Sequence, residues 1–307
     1  MLVLIIGLGS IAKKHIIALN NLDLNIEIIA LRTVNFENST KGIKNIKSLN
    51  ELTSNPDFAI ISNPTSYHKT TIEKLLDHQI PMFVEKPAFH TLKDVDELVN
   101  SINNSNLINY VAFNLRFHPC IEYLKCELKN VNKVINEVNV YCGSYLPEWR
   151  NIKNFRKNYS CISSLGGGVH LDLIHEIDYI VWLLGIPKSS HIFKSNKSSL
   201  KIDSVDYANY LLEYDNFNIS IILNYYRRDP KRCIEIIFED ETWTIDLLKS
   251  FIKNSKEDII FKNDDFLIQE TYNKQMKYFI DKLNNKVMPM NTLQESLYAL
   301  KIVLQNG

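Results

Sequence analysis

The sequence has no net charge and no long apolar run. Lys and Arg together number 35 and Asp and Glu together also number 35 among 307 residues. Without excess positive charge, and without a basic block interleaved with aromatic residues, the chain lacks the electrostatic surface that nucleic-acid binding requires. No apolar segment reaches the roughly 18–20 residues needed to span a membrane. A small, local ligand is therefore favoured over a nucleic acid or a membrane.

Cysteine is also sparse. The chain has five cysteines, an odd number, and no Cys-x-x-Cys pair, so neither a disulfide framework nor a cysteine-rich metal site is expected. The apolar segment Met1–Ile6 runs straight into Gly7 with no basic region before it, which is typical of a strand and not of a signal peptide. We expect reduced thiols and a cytoplasmic location.

Glycine is scarce and unevenly placed. Only nine glycines occur, and five of them form two clusters, Gly7 with Gly9 and Gly166–Gly168. Glycine tolerates positive φ and close backbone approach better than any other residue. Both clusters are therefore candidate functional turns.

The first part of the chain alternates short apolar runs with helical patterns. The predicted strands are Val3–Ile6, Glu27–Leu31, Phe58–Ser62, Met82–Val84 and Leu107–Phe113, and the predicted helices are Ser10–Asn20, Tyr67–Asp77 and Asp94–Asn103. This alternation predicts an α/β domain with a doubly wound parallel sheet over residues 1–117.

The second part has a different character. After Val134–Tyr141, an irregular stretch and a helix over Val169–Leu184, four closely spaced strands follow, and helices near Tyr272–Leu283 and Thr292–Leu304 close the chain. The four strands are Ala208–Glu213, Ile219–Tyr225, Arg232–Glu239 and Thr242–Leu247. They predict a second α/β domain, residues 118–307, with a large, mainly antiparallel sheet.

The first glycine cluster fits the pattern G-x-G-x-x-[G/A]. Gly7 allows a tight turn, Gly9 lets the backbone approach a pyrophosphate, and Ala12 lets the helix pack closely on the strand. The helix then presents the amides around Ser10 and Ile11 to the phosphates. Because the motif follows an apolar strand and opens a helix, it predicts a dinucleotide site. The alternative is a plain strand–helix turn.

The second strand ends in Arg32-Thr33, where NAD-selective sites carry an acidic residue for the ribose hydroxyls. A guanidinium there can hold a 2′-phosphate, which favours NADP over NAD. A solvated arginine is the alternative, so the choice between NAD and NADP stays open.

Glu85-Lys86-Pro87 follows the apolar strand that ends at Val84. Ligands of open α/β sheets bind at this edge, and a partly desolvated lysine there can exchange a proton near neutral pH. A cis Pro87 would help to aim Lys86. The alternative is a surface turn.

The second glycine cluster opens a helix with two faces. Leu173, Ile174 and Ile177 lie on an apolar face, while Asp172, His175, Glu176 and Tyr179 gather on the opposite side. An imidazole beside a carboxylate is suited to proton transfer. A solvated polar face is the alternative, and His170 is interpreted as structural. No second His follows at the spacing of the zinc-protease motif, so no metal site is predicted.

The irregular stretch before these glycines is rich in aromatic and basic residues. Tyr145, Trp149, Arg150 and Arg156 are suited to stacking on a sugar or base and to pairing with phosphate. The alternative is a segment that packs between domains.

Five motifs together resemble the Gfo/Idh/MocA family of NAD(P)-dependent oxidoreductases (glucose–fructose oxidoreductase, inositol dehydrogenase and relatives), over nearly the whole chain. They are Gly7–Ala12 with Lys13-Lys14-His15, Asn63–His68, Glu85–Pro87, Asn114–Pro119 and Gly166–Asp178. Each motif is modest alone, but their order and intervals are specific.

The resemblance implies a Rossmann domain followed by a substrate-binding and oligomerisation domain, and hydride transfer between NAD or NADP and a hydroxyl-bearing carbon of a sugar or cyclitol. It implies that Lys86 bonds the reacting oxygen, that His175 is the acid/base and that Asp172 positions either the substrate or His175. It further places Asn63, Pro64, His68 and Glu85 beside the cofactor, and Arg116 and Tyr179 beside the substrate.

Two details qualify the resemblance. Many members space Asp and His four apart, whereas Asp172 and His175 are three apart, which leaves open which of them contacts the reacting hydroxyl. The stretch Ser144–Arg150 is similar to enzymes of bacterial surface-sugar synthesis, which suggests a nucleotide-activated or amino sugar.

Two other functions stay open: a dinucleotide-binding sensor without turnover, and an epimerase or lyase that uses transient oxidation. We also expect a homo-oligomer, a dimer or tetramer, because Ile221, Leu223 and Tyr225 are predicted to form an outward apolar face on the second sheet.

Overall fold

A computed structural model describes residues 1–32, 42–130, 133–149 and 154–305. They divide into a first unit, Met1–Asn114 with Ile268–Leu297, and a second unit, Leu115–Leu267 with Tyr298–Gly307. The first boundary between the two units, after Asn114, lies close to the domain boundary predicted at residue 117. The sequence analysis assigned residues 268–297 to the second domain, whereas in the structure they cluster with the first.

The first unit is built on a six-stranded sheet with the order β3-β2-β1-β4-β5-β6, in which every pair is parallel. Its elements are β1 Leu2–Ile6, α1 Ser10–Asn20, β2 Glu27–Leu31, β3 Lys44–Ile46, β4 Phe58–Ile61, α2 His68–Asp77, β5 Met82–Val84, α3 Val95–Asn104 and β6 Asn109–Val111. The central strands are buried along their length, as expected for a parallel sheet covered on both faces. The predicted doubly wound sheet is confirmed.

The second unit is built on an eight-stranded sheet with the order β14-β13-β12-β11-β7-β10-β9-β8. Its elements are α4 Pro119–Asn130, β7 Ile135–Gly143, α5 Val169–Asp172, α6 His175–Leu184, β8 Ser189–Ser195, β9 Tyr207–Glu213, β10 Asn218–Asn224, β11 Lys231–Phe238, β12 Thr242–Asp246, β13 Phe251–Asn254 and β14 Ile259–Lys262. Among the strand pairs that the described residues form in this sheet, only β7–β10 is parallel. The predicted large, mainly antiparallel sheet is confirmed.

Two helices close the chain, α7 Ile268–Asn284 and α8 Leu293–Leu304. α7 packs on α1, and its Phe279 ring lies 5.0 Å from Phe58, 5.3 Å from Phe83 and 6.0 Å from Tyr110. This ring cluster is the physical reason that residues 268–297 belong with the first unit. No helix in the described part of the chain is long and apolar enough to cross a membrane.

The predicted single helix over Val169–Leu184 is interrupted. α5 ends at Asp172 and α6 begins at His175, so Leu173 and Ile174 separate two helices. Asp172 and His175 therefore flank the interruption instead of sharing the face of one continuous helix. All five cysteines are free thiols.

The outward apolar face predicted for β10 is wrong. Ile221, Leu223 and Tyr225 are fully buried, because these side chains project toward the face covered by α5. Phe193 and Leu211, on β8 and β9, are instead 59% and 46% exposed. A homo-oligomer stays a prediction, and β10 no longer supports it.

A buried ion pair anchors the start of the second unit to α6. Arg116 Nε lies 2.9 Å from Asp178 Oδ2 and Arg116 Nη2 lies 2.7 Å from Asp178 Oδ1, with both side chains buried. Such bidentate geometry satisfies a carboxylate that burial would otherwise destabilise. Arg116 was also predicted as a substrate residue, and that role stays a prediction.

We expect Arg116→Met to lower the free energy of unfolding by about 3–5 kcal/mol, because Asp178 is left buried without its cation. Trp149, Trp182 and Trp243 all lie in the second unit, so tryptophan fluorescence during urea unfolding reports on it. The control is Arg228→Met, since Arg228 and Glu148 form an exposed pair at 3.9 Å and such pairs contribute under about 1 kcal/mol. Equal stability of the two variants would contradict the structural role.

Candidate functional site

The turn between β1 and α1 is packed against the end of β4. Gly7 has φ +89°, and a Cβ there would lie 2.6 Å from both the Cα and the N of Asn63. The Ser62 hydroxyl donates a 2.7 Å hydrogen bond to the Gly7 carbonyl oxygen. Only glycine satisfies both the positive φ and this close approach.

The N-terminus of α1 is open. Gly9 precedes the helix in an extended conformation, no side chain of the described residues caps it, and a Cβ on Gly9 would meet nothing within 4 Å. The first-turn amides of Ser10, Ile11 and Ala12 have no acceptor within the helix, and Ala12 is fully buried against the sheet. Uncapped amides and the helix dipole make this end suitable for a phosphate group.

A cavity of about 630 Å³ lies beside this turn, within the first unit. Its lining includes four of the predicted cofactor residues, Gly7, Arg32, Asn63 and Pro64. β1 and β4 are neighbours at the point where the strand order reverses, which is where ligands of doubly wound sheets bind. The size is typical of a small-molecule or cofactor site.

The sequence analysis missed the contribution of α2 and the turn before it. Tyr67, Thr70, Thr71 and Lys74 also line the cavity. Thr70 and Lys74 are one helical turn apart and therefore lie on the same side of α2. This polar i, i+4 pair was the sequence signal that could have indicated a ligand-facing side of the helix. Thr33, which was considered with Arg32, lies outside the described residues.

The end of β5 is held by a buried hydrogen bond. His15 Nε2 on α1 lies 2.5 Å from Glu85 Oε1, and the Lys86 backbone N–H donates to Glu85 Oε2 at 3.1 Å. Glu85 is buried, Lys86 is half-buried and the Lys86–Pro87 bond, whose isomer the sequence left open, is cis. The surface-turn alternative is therefore excluded, and Glu85 positions the chain that carries Lys86.

His68 bridges two strand-end loops and is not among the residues that line the cavity. Its Nδ1 lies 3.1 Å from the Pro87 carbonyl oxygen and its Nε2 lies 2.9 Å from the Asn63 carbonyl oxygen. Burial lowers the pKa of His68, although these carbonyls oppose the shift. The buried ring therefore sets the spacing of the Asn63 and Pro87 loops.

In the second unit, Asp172 is held by two tyrosines. Tyr159 donates to Oδ1 at 2.9 Å and Tyr225 donates to Oδ2 at 2.6 Å. Burial, followed by the Asp172 charge, raises the pKa of Tyr225 well above its usual value, so this hydroxyl remains a donor. Both oxygens of Asp172 are thereby fixed as acceptors at the end of α5.

The polar side of α5 and α6 is buried. Asp172, His175, Glu176 and Tyr179 are all buried, so the solvated-face alternative is wrong. Glu176 Oε1 accepts a 2.6 Å hydrogen bond from Arg232 Nε. Burial also raises the pKa of Tyr179 well above its usual value. Tyr179, predicted as a substrate residue, is fully enclosed, because α6 presents this side to the sheet and not to solvent.

His170 has the structural position that was predicted for it. Burial, followed by the charge of Lys194, lowers the pKa of His170 to about 4. The ring is therefore neutral near pH 7 and packs in the interior.

The irregular stretch contributes to the surroundings of Asp172. The Trp149 ring lies edge-on to Tyr225 at 5.2 Å, and its Nε1 donates to Ser144 Oγ at 2.7 Å. Tyr145 is half-buried, with the Arg228 guanidinium 3.5 Å from its ring centroid.

Two arginines of this stretch, Arg150 and Arg156, were predicted to contact the substrate. Arg156 is exposed, and its Nη2 donates to the Leu200 carbonyl oxygen at 2.9 Å. Arg150 lies outside the described residues.

Residues 1–113 match the family model described as "Oxidoreductase family, NAD-binding Rossmann fold". An uncharacterised oxidoreductase of Streptococcus pneumoniae is 29% identical over 47% of this chain and 39% of its own length. An inositol 2-dehydrogenase/D-chiro-inositol 3-dehydrogenase of Lacticaseibacillus casei is 26% identical over 59% of this chain and 52% of its own length. The matches therefore span less than two thirds of either relative.

A solved structure shows the same fold over the whole chain. The UDP-N-acetylglucosamine 3-dehydrogenase of Acidithiobacillus ferrooxidans superposes with a TM-score of 0.78 at 16% identity, covering 99% of this chain and 96% of that one. With the cavity at its β1–β4 edge, the part of the chain that matches the model, residues 1–113, is similar to the NAD-binding Rossmann fold of the Gfo/Idh/MocA oxidoreductases.

Proposed function

We propose that this protein is an NAD(P)-dependent oxidoreductase that acts on a CH–OH group of a sugar or cyclitol, with nucleotide-activated or amino sugars as the first substrates to test. The observation that carries the proposal is the 630 Å³ cavity at the β1–β4 edge, within residues that match an NAD-binding family model. The relatives that act on inositol and on UDP-N-acetylglucosamine support the substrate class.

The residues of the first unit fit a dinucleotide. Gly9 leaves space beside the uncapped start of α1, where the amides of Ser10 and Ile11 suit a pyrophosphate. Arg32 and Asn63 line the adjoining cavity. The nicotinamide supplies or accepts the hydride when the cofactor is bound.

Three side chains carry the proton chemistry in this proposal. Lys86 donates a hydrogen bond from Nζ to the oxygen of the reacting CH–OH group. His175 accepts the hydroxyl proton during oxidation and returns it during reduction. Asp172, held by Tyr159 and Tyr225, positions the substrate or His175.

We expect Lys86→Ala and His175→Ala each to lower kcat by about 10²–10⁴-fold, because each removes a proton-handling group. Dinucleotide affinity should change little. The measurement is steady-state turnover together with an NAD(P)H titration. Lys93→Ala and His191→Ala are the controls. Both side chains are exposed, and neither residue is among the proposed catalytic or cofactor-binding residues. Normal turnover in both Lys86 and His175 variants would show that these assignments are wrong.

Arg32 favours NADP in this proposal. It lines the cavity at the end of β2, where NAD-selective sites carry a carboxylate instead. We expect Arg32→Ala to weaken NADPH binding about tenfold or more while NADH binding changes little, because a guanidinium–phosphate pair is lost. Fluorescence titration measures both affinities. Lys44→Ala, which removes an exposed cation on β3, is the matched control. Equal losses of NADPH and NADH affinity in Arg32→Ala would show that Arg32 does not bind a 2′-phosphate.

The Tyr225 hydroxyl is a positioning group for Asp172. We expect Tyr225→Phe to lower kcat about tenfold, the loss of one hydrogen bond to a charged group, with KM for NAD(P)H unchanged. Tyr210→Phe is the matched control, because Tyr210 is fully buried on β9 and its hydroxyl has no partner among the described residues. If Tyr225→Phe and Tyr210→Phe lower kcat equally, the Tyr225–Asp172 hydrogen bond does not contribute to catalysis.

The first experiment is a fluorescence titration of dialysed protein with NADH and NADPH, after a check for co-purified cofactor. Binding followed by turnover of myo-inositol, UDP-N-acetylglucosamine or a related sugar supports the dehydrogenase. Binding without turnover of any substrate favours the sensor. Cofactor that resists dialysis, with net turnover of a sugar but no net redox change, favours the epimerase or lyase. Absence of binding overturns the proposal.

A further inference from the structure

A second cavity lies at the strand ends of the second unit. It has a volume of about 470 Å³ and is bordered by the end of β8, the loop that follows it, the start of β9 and the residue after Tyr225. None of its lining residues was singled out from the sequence. Its volume is sufficient for a monosaccharide or a somewhat larger polar molecule.

Asp206 is the buried charge of this cavity. It is fully buried, and its Oδ2 accepts hydrogen bonds from the Ser198 hydroxyl at 2.5 Å and the Ser198 N–H at 3.2 Å. Its other oxygen, Oδ1, is buried and accepts no hydrogen bond from any residue the structure describes. A buried carboxylate oxygen is costly unless a donor reaches it, so Oδ1 points to a ligand that brings an O–H or N–H group.

The other lining side chains suit a neutral, hydroxyl-rich ligand. Ser195 and Ser199 add hydroxyls, and Lys197 is an exposed cation at the rim. Burial, followed by neighbouring groups that include Tyr207 and Asp206, raises the pKa of Tyr226, so its hydroxyl stays protonated. A phosphate would be repelled by the Asp206 carboxylate and attracted by only one lysine. Sugar hydroxyls, in contrast, can donate to the carboxylate and accept from the serines and the tyrosine.

Asp206 lies beside Tyr225, a member of the Asp172 network, in the sheet. The β9–β10 register places Asn224 opposite Tyr207, and the next residue, Tyr225, donates its backbone N–H to the Asp206 carbonyl oxygen at 3.0 Å. Opposed residues of antiparallel strands project to the same face. Asp206 therefore projects to the face on which Tyr225 bonds Asp172.

We infer that this cavity is a carbohydrate subsite, in which Asp206 Oδ1 accepts a hydrogen bond from a hydroxyl of the bound sugar. The inference rests on the proposed function for the choice of a carbohydrate as the ligand. It makes Asp206 and Tyr226 determinants of sugar binding and not of proton transfer.

The test is direct binding to the full chain without added dinucleotide, by calorimetry, with myo-inositol, N-acetylglucosamine and UDP-N-acetylglucosamine as probes. We expect Asp206→Asn to weaken the best probe about tenfold, because the amide retains an acceptor for Ser198 but loses the charged acceptor for the ligand. Tyr226→Ala, at a 36% exposed residue that should not affect folding, is expected to weaken it as well.

Two controls separate a binding role from a structural one. Tyr298→Ala removes a tyrosine of similar exposure, 43%, on α8 in the second unit. Asp203→Asn removes a carboxylate of the same loop that accepts from Ser163 instead. Both controls are expected to bind as the parent protein does.

Unchanged affinity in both the Asp206 and Tyr226 variants, or equal losses in the variants and the controls, would overturn the subsite. Failure of all three probes to bind the parent protein would overturn it too. A failure of the dehydrogenase proposal is seen elsewhere, in the NADH and NADPH titrations. Sugar binding that persists without dinucleotide binding would leave the subsite standing while the dehydrogenase falls.

Discussion

The contact between Gly7 and Asn63 is the constraint on which the first unit depends. At this point the strand order reverses between β1 and β4, and the two backbones approach so closely that any side chain at residue 7 would strike the Asn63 backbone. The same contact fixes where α1 begins and leaves its amides open. The cavity exists because neighbouring connections diverge from this edge to opposite faces of the sheet. A residue without a side chain is thus required at the point where the strand order reverses, where α1 begins and where the cavity lies.

The second unit follows a different rule, in which buried charge is matched by donors from distant parts of the chain. Asp172 accepts hydrogen bonds from Tyr159 and Tyr225, Asp178 pairs with Arg116, and Glu176 pairs through Oε1 with Arg232. A charge taken out of water is tolerated only when its partners are well oriented. Three such carboxylates within seven residues of α5 and α6 therefore hold these helices in a definite orientation on the sheet. The positions of the proposed acid/base residues follow from that matching.

The sequence predicted features that local patterns determine and missed those that tertiary contacts determine. α1, β2 and β5 were predicted with the observed bounds, because apolar periodicity and the Gly7–Gly9 turn mark their ends. The interruption at Leu173 has no local signal, since neither Gly nor Pro occurs there. The side of β10 that is covered was assigned wrongly, because alternation gives two faces without saying which one meets a helix. The tyrosines on Asp172 come from 13 and 53 residues away, a separation that no sequence pattern in one chain reveals.

The return of α7 to the first unit has a consequence for how the protein is made. Phe58, Phe83 and Tyr110 lie early in the chain, but the ring that packs among them, Phe279, is synthesised near its end. On the ribosome the cofactor-binding fold must therefore wait, with an aromatic surface uncovered, until residues 268–284 have emerged. Cutting the gene after the sixth strand would not yield an independent Rossmann domain but a fragment with part of its core exposed, prone to association through that surface.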